Sequence, residues 1–471
     1  MADVPVPGEE LTPDAGPPPV DLASALPAAV HDLLDRLWSA GHAAYVVGGS
    51  LRDALRGAVA KDWDLATSAR PEVTAALFPD ALYENPFGMV AVHTGDPDVG
   101  EVEITTFRSD HDYADFRRPH RVEFGDSIEL DLARRDFTVN AIAWGAEPGG
   151  QPRLVDPHGG RADLAGRTLR AVGDPRTRFG EDALRMLRAV RLAAALDFAI
   201  EPSTYEAIRD RADLVQHLSG ERIAAEMRLL LAADRPSVGL RLLSDTGLLD
   251  VLAPDLAAQR GVPQNKVEGE DLWDHTLRSV DAAVREPSLI RLSALLHDLG
   301  KPDTMADGRF VGHETVGAEK ARALLDAWHW PTVERERVAH LIRHHMFGYQ
   351  PTWSDTAIRR FIVKVGPDAL EDLFLLREAD NVGSGQPVDA GRLSEFRARV
   401  AAQLASGAAL DLRSLAVDGT DLMAEFGWAP GPIVGQTLQR LLERVIGDPT
   451  LNTRDRLLAV ARSMDAAGAG R

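Results

Sequence analysis

Two aspartates, Asp62 and Asp64, stand two residues apart behind a glycine pair, Gly48-Gly49, in the stretch VGGSLRDALRGAVAKDWDLAT from Val47 to Thr67. In an extended strand, residues two apart point to the same side of the sheet. Carboxylates so placed repel each other and call for a divalent cation, and Mg²⁺ is commonly held by a few carboxylates plus substrate phosphates. Asp-x-Asp alone is a weak signal, since a solvated acidic strand has the same spacing. The glycines sharpen it, because a residue without a Cβ lets backbone N–H groups approach a chain of phosphates closely. No G-x-G-x-x-G follows the strand YVVGG, which counts against a dinucleotide-binding turn. Further on, Glu103 alternates with apolar neighbours in Val102–Phe107 and would face the same side as Thr105. A solvated strand residue would show the same pattern.

The order of these residues resembles the nucleotidyltransferase superfamily, and more closely the bacterial tRNA CCA-adding enzymes and their poly(A) polymerase relatives. The family pattern is a strand ending in Gly-Gly, then Val-Arg-Asp, then Asp-x-Asp-x-x-Thr. Here it reads Gly48-Gly49-Ser50-Leu51-Arg52-Asp53 and Asp62-Trp63-Asp64-Leu65-Ala66-Thr67, with Leu51 in place of valine. The resemblance implies that Asp62, Asp64 and Glu103 are catalytic and hold Mg²⁺, one ion at an acceptor 3′-hydroxyl and one at the leaving pyrophosphate. Gly48, Gly49 and Arg52 are implied to bind the nucleotide. Arg134–Ala141, RRDFTVNA, matches a second motif of the family, which implies that Arg135, Asp136 and Asn140 contact ribose and triphosphate. Guanidinium forks suit phosphate oxygens. Asp156-Pro157-His158-Gly159-Gly160 matches a third motif, read as a structural turn. The polar loop Ser109–Ser127 contains DYADFRRP, similar to a family lever associated with the switch from C to A addition. Leu218–Ile223, LSGERI, is similar to a family helix start, although Arg222 stands where a capping box behind Ser219 wants Glu or Gln.

Asp182 and Arg185, within EDALRMLRA, would be i, i+3 neighbours on one helix face. One reading is an ordinary intrahelical ion pair worth about 0.2–0.5 kcal/mol. The other, implied by the family, is choice of the incoming base by protein side chains. A carboxylate accepts from the exocyclic amine of cytosine or adenine, and the Arg fork donates to ring nitrogen or carbonyl. Arg188 joins them as a nucleotide-binding candidate.

From about Lys266 the chain changes character. His275 in WDHT, His297-Asp298 in LHDLGKP and Asp380 in READN resemble the HD phosphohydrolase superfamily. The resemblance implies that His275, His297, Asp298 and Asp380 bind a divalent transition metal or Mg²⁺, with His313, His344 and His345 as further ligands or phosphate-binding groups. Such a unit is either a phosphohydrolase or an accessory body.

The elements that must position these residues follow from hydrophobic periodicity. Val30, Leu33, Leu34 and Leu37 have helical spacing; Tyr45–Gly49, Trp63–Ala66, Val90–Thr94 and Val102–Phe107 read as strands, with a helical Pro71–Phe78 between. Strands disappear after about Gly173, and helices continue to the end. The expected fold is therefore an α+β nucleotidyltransferase head with a small mixed sheet, followed by all-α neck and HD-type domains. Residues 1–21 read as an acidic, Pro-rich disordered tail, 28–172 as the head, 173–265 as a nucleotide-selecting and RNA-binding neck, 266–385 as the HD unit and 386–471 as a helical tail.

With 471 residues and no cysteine, the chain has room for several cores but neither disulfides nor thiolate metal sites. It shows no apolar run of membrane-spanning length and no signal peptide, so a cytoplasmic protein with no membrane partner is expected. Nothing in the sequence speaks to oligomeric state. A formal charge of −20 sits badly with nucleic acid, yet the arginines of Arg170–Arg191 suggest local basic surface. The expected function is template-independent addition of CCA to tRNA from CTP and ATP. The alternatives are a poly(A) polymerase, which would be expected to carry a basic tail, and an HD phosphohydrolase with a nucleotide-binding regulatory front half.

Overall fold

The computed structural model describes residues 22–468 apart from 61, 80, 84–88, 114–118, 126, 265 and 407–408. The chain divides into two compact units, meeting in sequence at Leu252 and Ala253.

The first unit is built on a seven-stranded sheet. Its strands are β1 (Ala44–Val47), β2 (Asp64–Thr67), β3 (Leu82–Tyr83), β4 (Met89–His93), β5 (Glu101–Thr106), and, after the β6–β7 hairpin described below, β8 (Ala143–Ala146) and β9 (Arg153–Val155). They lie in the order β3-β4-β5-β2-β1-β8-β9. β2 and β5 run parallel and every other neighbouring pair antiparallel. The central strand AYVV is buried throughout because both faces are covered. Ala44 and Val46 join Leu33, Leu34 and Leu37 of the Ala28–Ser39 helix in one core, while Tyr45 and Val47 join Phe107, Ile128 and Leu132 in another. This is the period-two alternation of a strand with two hydrophobic faces.

In the secondary structure and surface charge, sequence and structure differ in four places. β1 ends at Val47, because Gly48 at φ +79° turns the chain directly into the Gly48–Leu55 helix. Strands do not vanish after Gly173: Ala199–Ile200 pairs with Thr168–Leu169, and Met305–Ala306 pairs with Arg309–Phe310. Each strand is two residues long, too short for a periodicity to register. The span read as a polar loop is a hairpin of β6 (Arg108–Tyr113) and β7 (Pro119–Phe124), with Arg108 opposite Phe124. Backbone pairing does not need apolar side chains, so charge concealed it. Residues 114–118, which include part of the DYADFRRP motif, lie outside the described residues. Finally, the arginines of Arg170–Arg191 are each paired: Arg170 with Asp163 and Glu201, Arg176 with Asp210, Arg178 and Arg185 with Glu181, Arg188 with Asp136, and Arg191 with Glu226. The expected basic surface is neutralised from within.

The second unit is helical. Leu272–Ala282, Leu289–Leu296, His313–Ala327, Thr332–His344 and Leu370–Gly383 carry the histidines and acids of interest or, for His297, Asp298 and His345, end directly before them. Phe396, on Leu393–Ala405, is fully buried and stacks on Tyr349 with centroids 4.7 Å apart. Phe347, Phe361 and Phe374 also ring it. A smaller core around Leu441, Val445 and Leu457 closes the C-terminal helices.

The DPHGG turn is structural, as read. Asp156 accepts from the backbone N–H of Gly160 at 2.7 Å and of Arg161 at 2.9 Å. A Cβ at Gly160 would stand 2.1 Å from the Thr138 carbonyl oxygen. Gly160→Ala is therefore expected to destabilise the first unit by about 1–3 kcal/mol, read as a lower midpoint in urea unfolding followed by circular dichroism.

Candidate functional site

The parallel register of β2 and β5 places Asp64 directly beside Glu103. In-register residues of neighbouring strands share a face, so the two carboxylates point the same way. Thr105, two residues on, lines the same cavity of about 300 Å³ with Asp64, Glu103, Arg134, Arg135, Asp136, Asp182, Arg185 and Arg188. Asp62 differs from the expectation. It precedes the strand with φ 53° and is exposed, so it reaches this region from a left-handed turn rather than from the strand face. Asp tolerates that conformation better than most residues. Its charge still acts on its neighbour: burial pushes the Asp64 carboxyl up to about 6, Arg135 opposes the shift, and Glu103 and Asp62 add to it. A buried carboxylate crowded by acidic neighbours is a fit host for a divalent cation. Gly48 must be glycine here, since at φ +79° a Cβ would lie 3.1 Å from Asp64 Oδ2 and 3.4 Å from Arg135 Nη1.

Behind this face, the RRDFTVNA segment forms a polar chain. Arg52 Nη1 donates to Asn140 Oδ1 at 2.8 Å, and Asn140 Nδ2 donates to Asp136 Oδ1 at 3.1 Å. Arg188 Nε donates to Asp136 Oδ2 at 2.8 Å. Burial pushes the Asp136 carboxyl up, but the Arg188 charge and the bonds from Asn140 and Arg188 outweigh it and hold it far below the usual range. Arg52, which also pairs with Asp53, is a buried brace under Gly49. Asp131, fully buried, anchors both Arg134 and Arg135.

The Asp182–Arg185 ion pair does not form. Helix Pro175–Glu181 ends at Asp182, which is extended (φ −146°, ψ 107°), and a new helix starts at Leu184. Asp182 Oδ1 accepts from the Leu184 N–H at 3.0 Å and Oδ2 from Arg222 Nη2 at 2.7 Å. Arg185 instead donates to Glu181 at 2.5 Å and to the Arg178 and Arg134 carbonyls at 3.1 Å. The break frees both residues to line one cavity. Arg222, from the LSGERI helix start, and Glu226, which takes Arg191 at 2.6 Å, are supporting residues that local spacing could not reveal.

In the second unit, His275, His297, Asp298 and Asp380 converge as expected. His275 Nε2 lies 3.1 Å from His297 Nε2, 3.2 Å from Asp298 Oδ2 and 3.4 Å from Asp380 Oδ1. Burial pushes the His297 imidazole down despite Asp298, favouring the neutral form a metal ligand needs. Among the described residues two trios have ligand atoms all within 4.8 Å of one another: His275, His297 and Asp380, and Asp298, His313 and His345. His344 is not among them; its ring packs on His340 at 4.6 Å. Lys266, Lys301, Arg309 and Arg377 line the cavity of about 570 Å³ over the cluster.

Comparison with known proteins adds to this geometry. Residues 44–170 match the poly A polymerase head domain family, 197–260 the probable RNA and SrmB-binding site of polymerase A, and 271–383 the HD domain. The chain is 33% identical over 449 residues to the CCA-adding enzyme of Streptococcus suis (strain 05ZYH33), covering 95% of this chain and 98% of that one. It is 33% identical over 430 residues to the CCA-adding enzyme of Geobacillus stearothermophilus, covering 91% and 94%. The crystal structure of the Bacillus stearothermophilus CCA-adding enzyme in complex with CTP is similar with a TM-score of 0.70 at 29% identity, covering 94% of this chain and 100% of that one.

Asp64 makes stability depend on pH. Its folded value near 6 lies above the ordinary 3.8, so the folded chain keeps this proton longer than the unfolded one. The contribution is present below about pH 4 and lost as pH rises through 6. In chelator, Asp64→Asn is expected to raise the thermal midpoint above pH 6 and leave it unchanged near pH 3.5. Parallel profiles for variant and wild type would refute this.

Proposed function

The chain belongs to the family of CCA-adding enzymes, and on that premise we propose that it adds C, C and A to tRNA 3′ ends from CTP and ATP, releasing pyrophosphate. The observation that supports this most is the single cavity lined at once by Asp64 and Glu103, by Arg134 and Arg135, and by Asp182, Arg185 and Arg188. Chemistry, triphosphate binding and base reading need these three groups within one nucleotide's reach. Mg²⁺ on Asp62, Asp64 and Glu103 would supply Lewis acidity at the reacting oxygens.

The protein's own groups do the rest. Arg134 and Arg135, held by Asp131, present guanidinium forks to phosphate oxygens. Arg185 is fixed by two backbone carbonyls and Glu181, so its orientation is set before a base arrives. Asp182 spends one lone pair per oxygen on Leu184 and Arg222, and a carboxylate with about four acceptor sites keeps capacity for an exocyclic amine. Uracil or guanine would turn a carbonyl toward that carboxylate. Two acceptors facing each other cost about 1–3 kcal/mol per lost bond, with no template strand required.

For the second unit we propose a metal-dependent phosphohydrolase. Support comes from the buried His–Asp cluster and the four cations that line its cavity, which suit an anionic phosphoester. Among the described residues, no helix is long and apolar enough to cross a membrane.

Incubation with tRNA lacking its terminus and each labelled nucleotide is expected to give two C and one A. Long A tails would instead identify a poly(A) polymerase. Asp182→Ala is expected to reduce discrimination of CTP over UTP by about 5- to 150-fold, from the loss of about 1–3 kcal/mol, while slowing CTP use less; unchanged selectivity would sink the base-reading role. For the second unit, His297→Ala should abolish metal-dependent release of phosphate from a generic phosphoester while Asp62→Ala keeps it. Absence of release in the wild type with any divalent metal would leave only a structural role there.

A further inference from the structure

We propose that the helical unit carries a separate binding pocket for a free adenine nucleotide, beside the aromatic core around Phe396. None of the residues of the His–Asp cluster lines this pocket, and the inference does not rest on either catalytic reading above.

The pocket has a volume of about 410 Å³, within the about 300–1,000 Å³ usual for small-molecule sites. Its apolar wall is aromatic: the Phe347 and Phe361 ring centroids are 5.3 Å apart, and Trp353 lies 6.3 Å from Phe361. Phe347, Phe361 and Trp353 all rest on the buried Phe396, at 5.8, 4.9 and 5.6 Å. The wall is thereby fixed before a ligand arrives, which lowers the cost of binding. Met346, 55% exposed, extends it with apolar surface open to solvent. Rigid aromatic surface of this kind is a stacking platform for a nucleobase.

The charge beside that wall is unbalanced. Arg360 and Lys364 stand four residues apart on the Asp355–Val365 helix, hence on one face, and both line the pocket. Both are exposed, and among the described residues neither has an ion-pair partner, whereas Arg343, which also lines the pocket, pairs with Glu319. Like charges at this spacing repel each other. In a chain with 72 acidic and 52 basic residues, two neighbouring cations without an acid suit an anion from outside. Cations one helical turn apart can share the oxygens of one phosphate group. Wall and cations together match the base and phosphate of a nucleotide. Glu314, the acid among the lining residues, repels a phosphate but accepts from an exocyclic amine. Adenine carries that amine and offers a larger stacking face than cytosine, and uracil lacks the amine. The pocket and the His–Asp cluster are kept apart by adjacent residues turned to different sides: His313 and His345 to the cluster, Glu314 and His344 to the pocket.

The test photolabels the full chain with 8-azidoadenosine 5′-monophosphate in chelator and maps the adducts by mass spectrometry. An adduct between His344 and Lys364 is expected, distinct in sequence from any at the Asp64–Glu103 cavity. Unlabelled AMP is expected to suppress it at concentrations about tenfold lower than adenosine, ribose 5-phosphate or UMP require. Arg360→Gln combined with Lys364→Gln is expected to lower this labelling about tenfold, with the thermal midpoint and any labelling of the other cavity unchanged. Trp353→Leu is expected to weaken it as well. No adduct in that span, full labelling of the double variant, equal competition by UMP, or suppression by a short oligoadenylate but not by AMP would each overturn the proposal.

Discussion

The ion pair between Asp136 and Arg188 is the joint on which the first unit's site depends. Asp136 is a carboxylate removed from water, and such a group is tolerated only when paired and hydrogen-bonded. Arg188 meets it from the Leu184–Leu196 helix, while Asn140 and Arg52 reach it from the sheet side. Beyond Arg188 the chain of contacts continues to Glu226 and Arg191. The pairing thereby sets where the Leu184–Leu196 helix lies against the RRDFTVNA segment. Asp182 and Arg185, at the start of that helix, then face the carboxylates of β2 and β5 across one cavity. The two sides of the cavity are thus held together by charge as well as by packing.

Charge is also handled differently at the two centres. The first collects carboxylates beside guanidinium groups, and the balance leaves Asp64 short of compensation. The second sets imidazoles around Asp298 and Asp380, with Lys301 and Lys266 close to the first trio. In both, buried acidic groups are gathered close to one another as well as to basic side chains.

The net charge of −20 is not offset by free arginines in Arg170–Arg191. With the arginines of Arg170–Arg191 matched to acids, binding of a polyanion through a broad positive field is disfavoured. Recognition is shifted toward shaped pockets where a few guanidinium groups are aimed by their partners. That is a suitable way to hold one nucleotide in a defined pose, and a poor way to bind RNA indiscriminately.

Residue types in order, within windows of about ten positions, were enough to pick out the carboxylates, the RRDFTVNA arginines and the HD histidines that the structure gathers at its two centres, and the helix and strand character of the segments that carry them. Those properties are local, because period-two and period-3.6 patterns and turn glycines act over neighbouring residues. Tertiary structure alone decided the rest. The register that sets Asp64 beside Glu103 joins strands 39 positions apart along the chain. A helix break, invisible to an i, i+3 rule, separated Asp182 from Arg185 and gave Asp182 to Arg222, 40 residues on. Asp62 left its strand for a left-handed turn. His345 joined the buried His–Asp cluster and His344 did not, although they are adjacent, because one helical step of about 100° turns neighbours to different faces and only packing chooses the inward one.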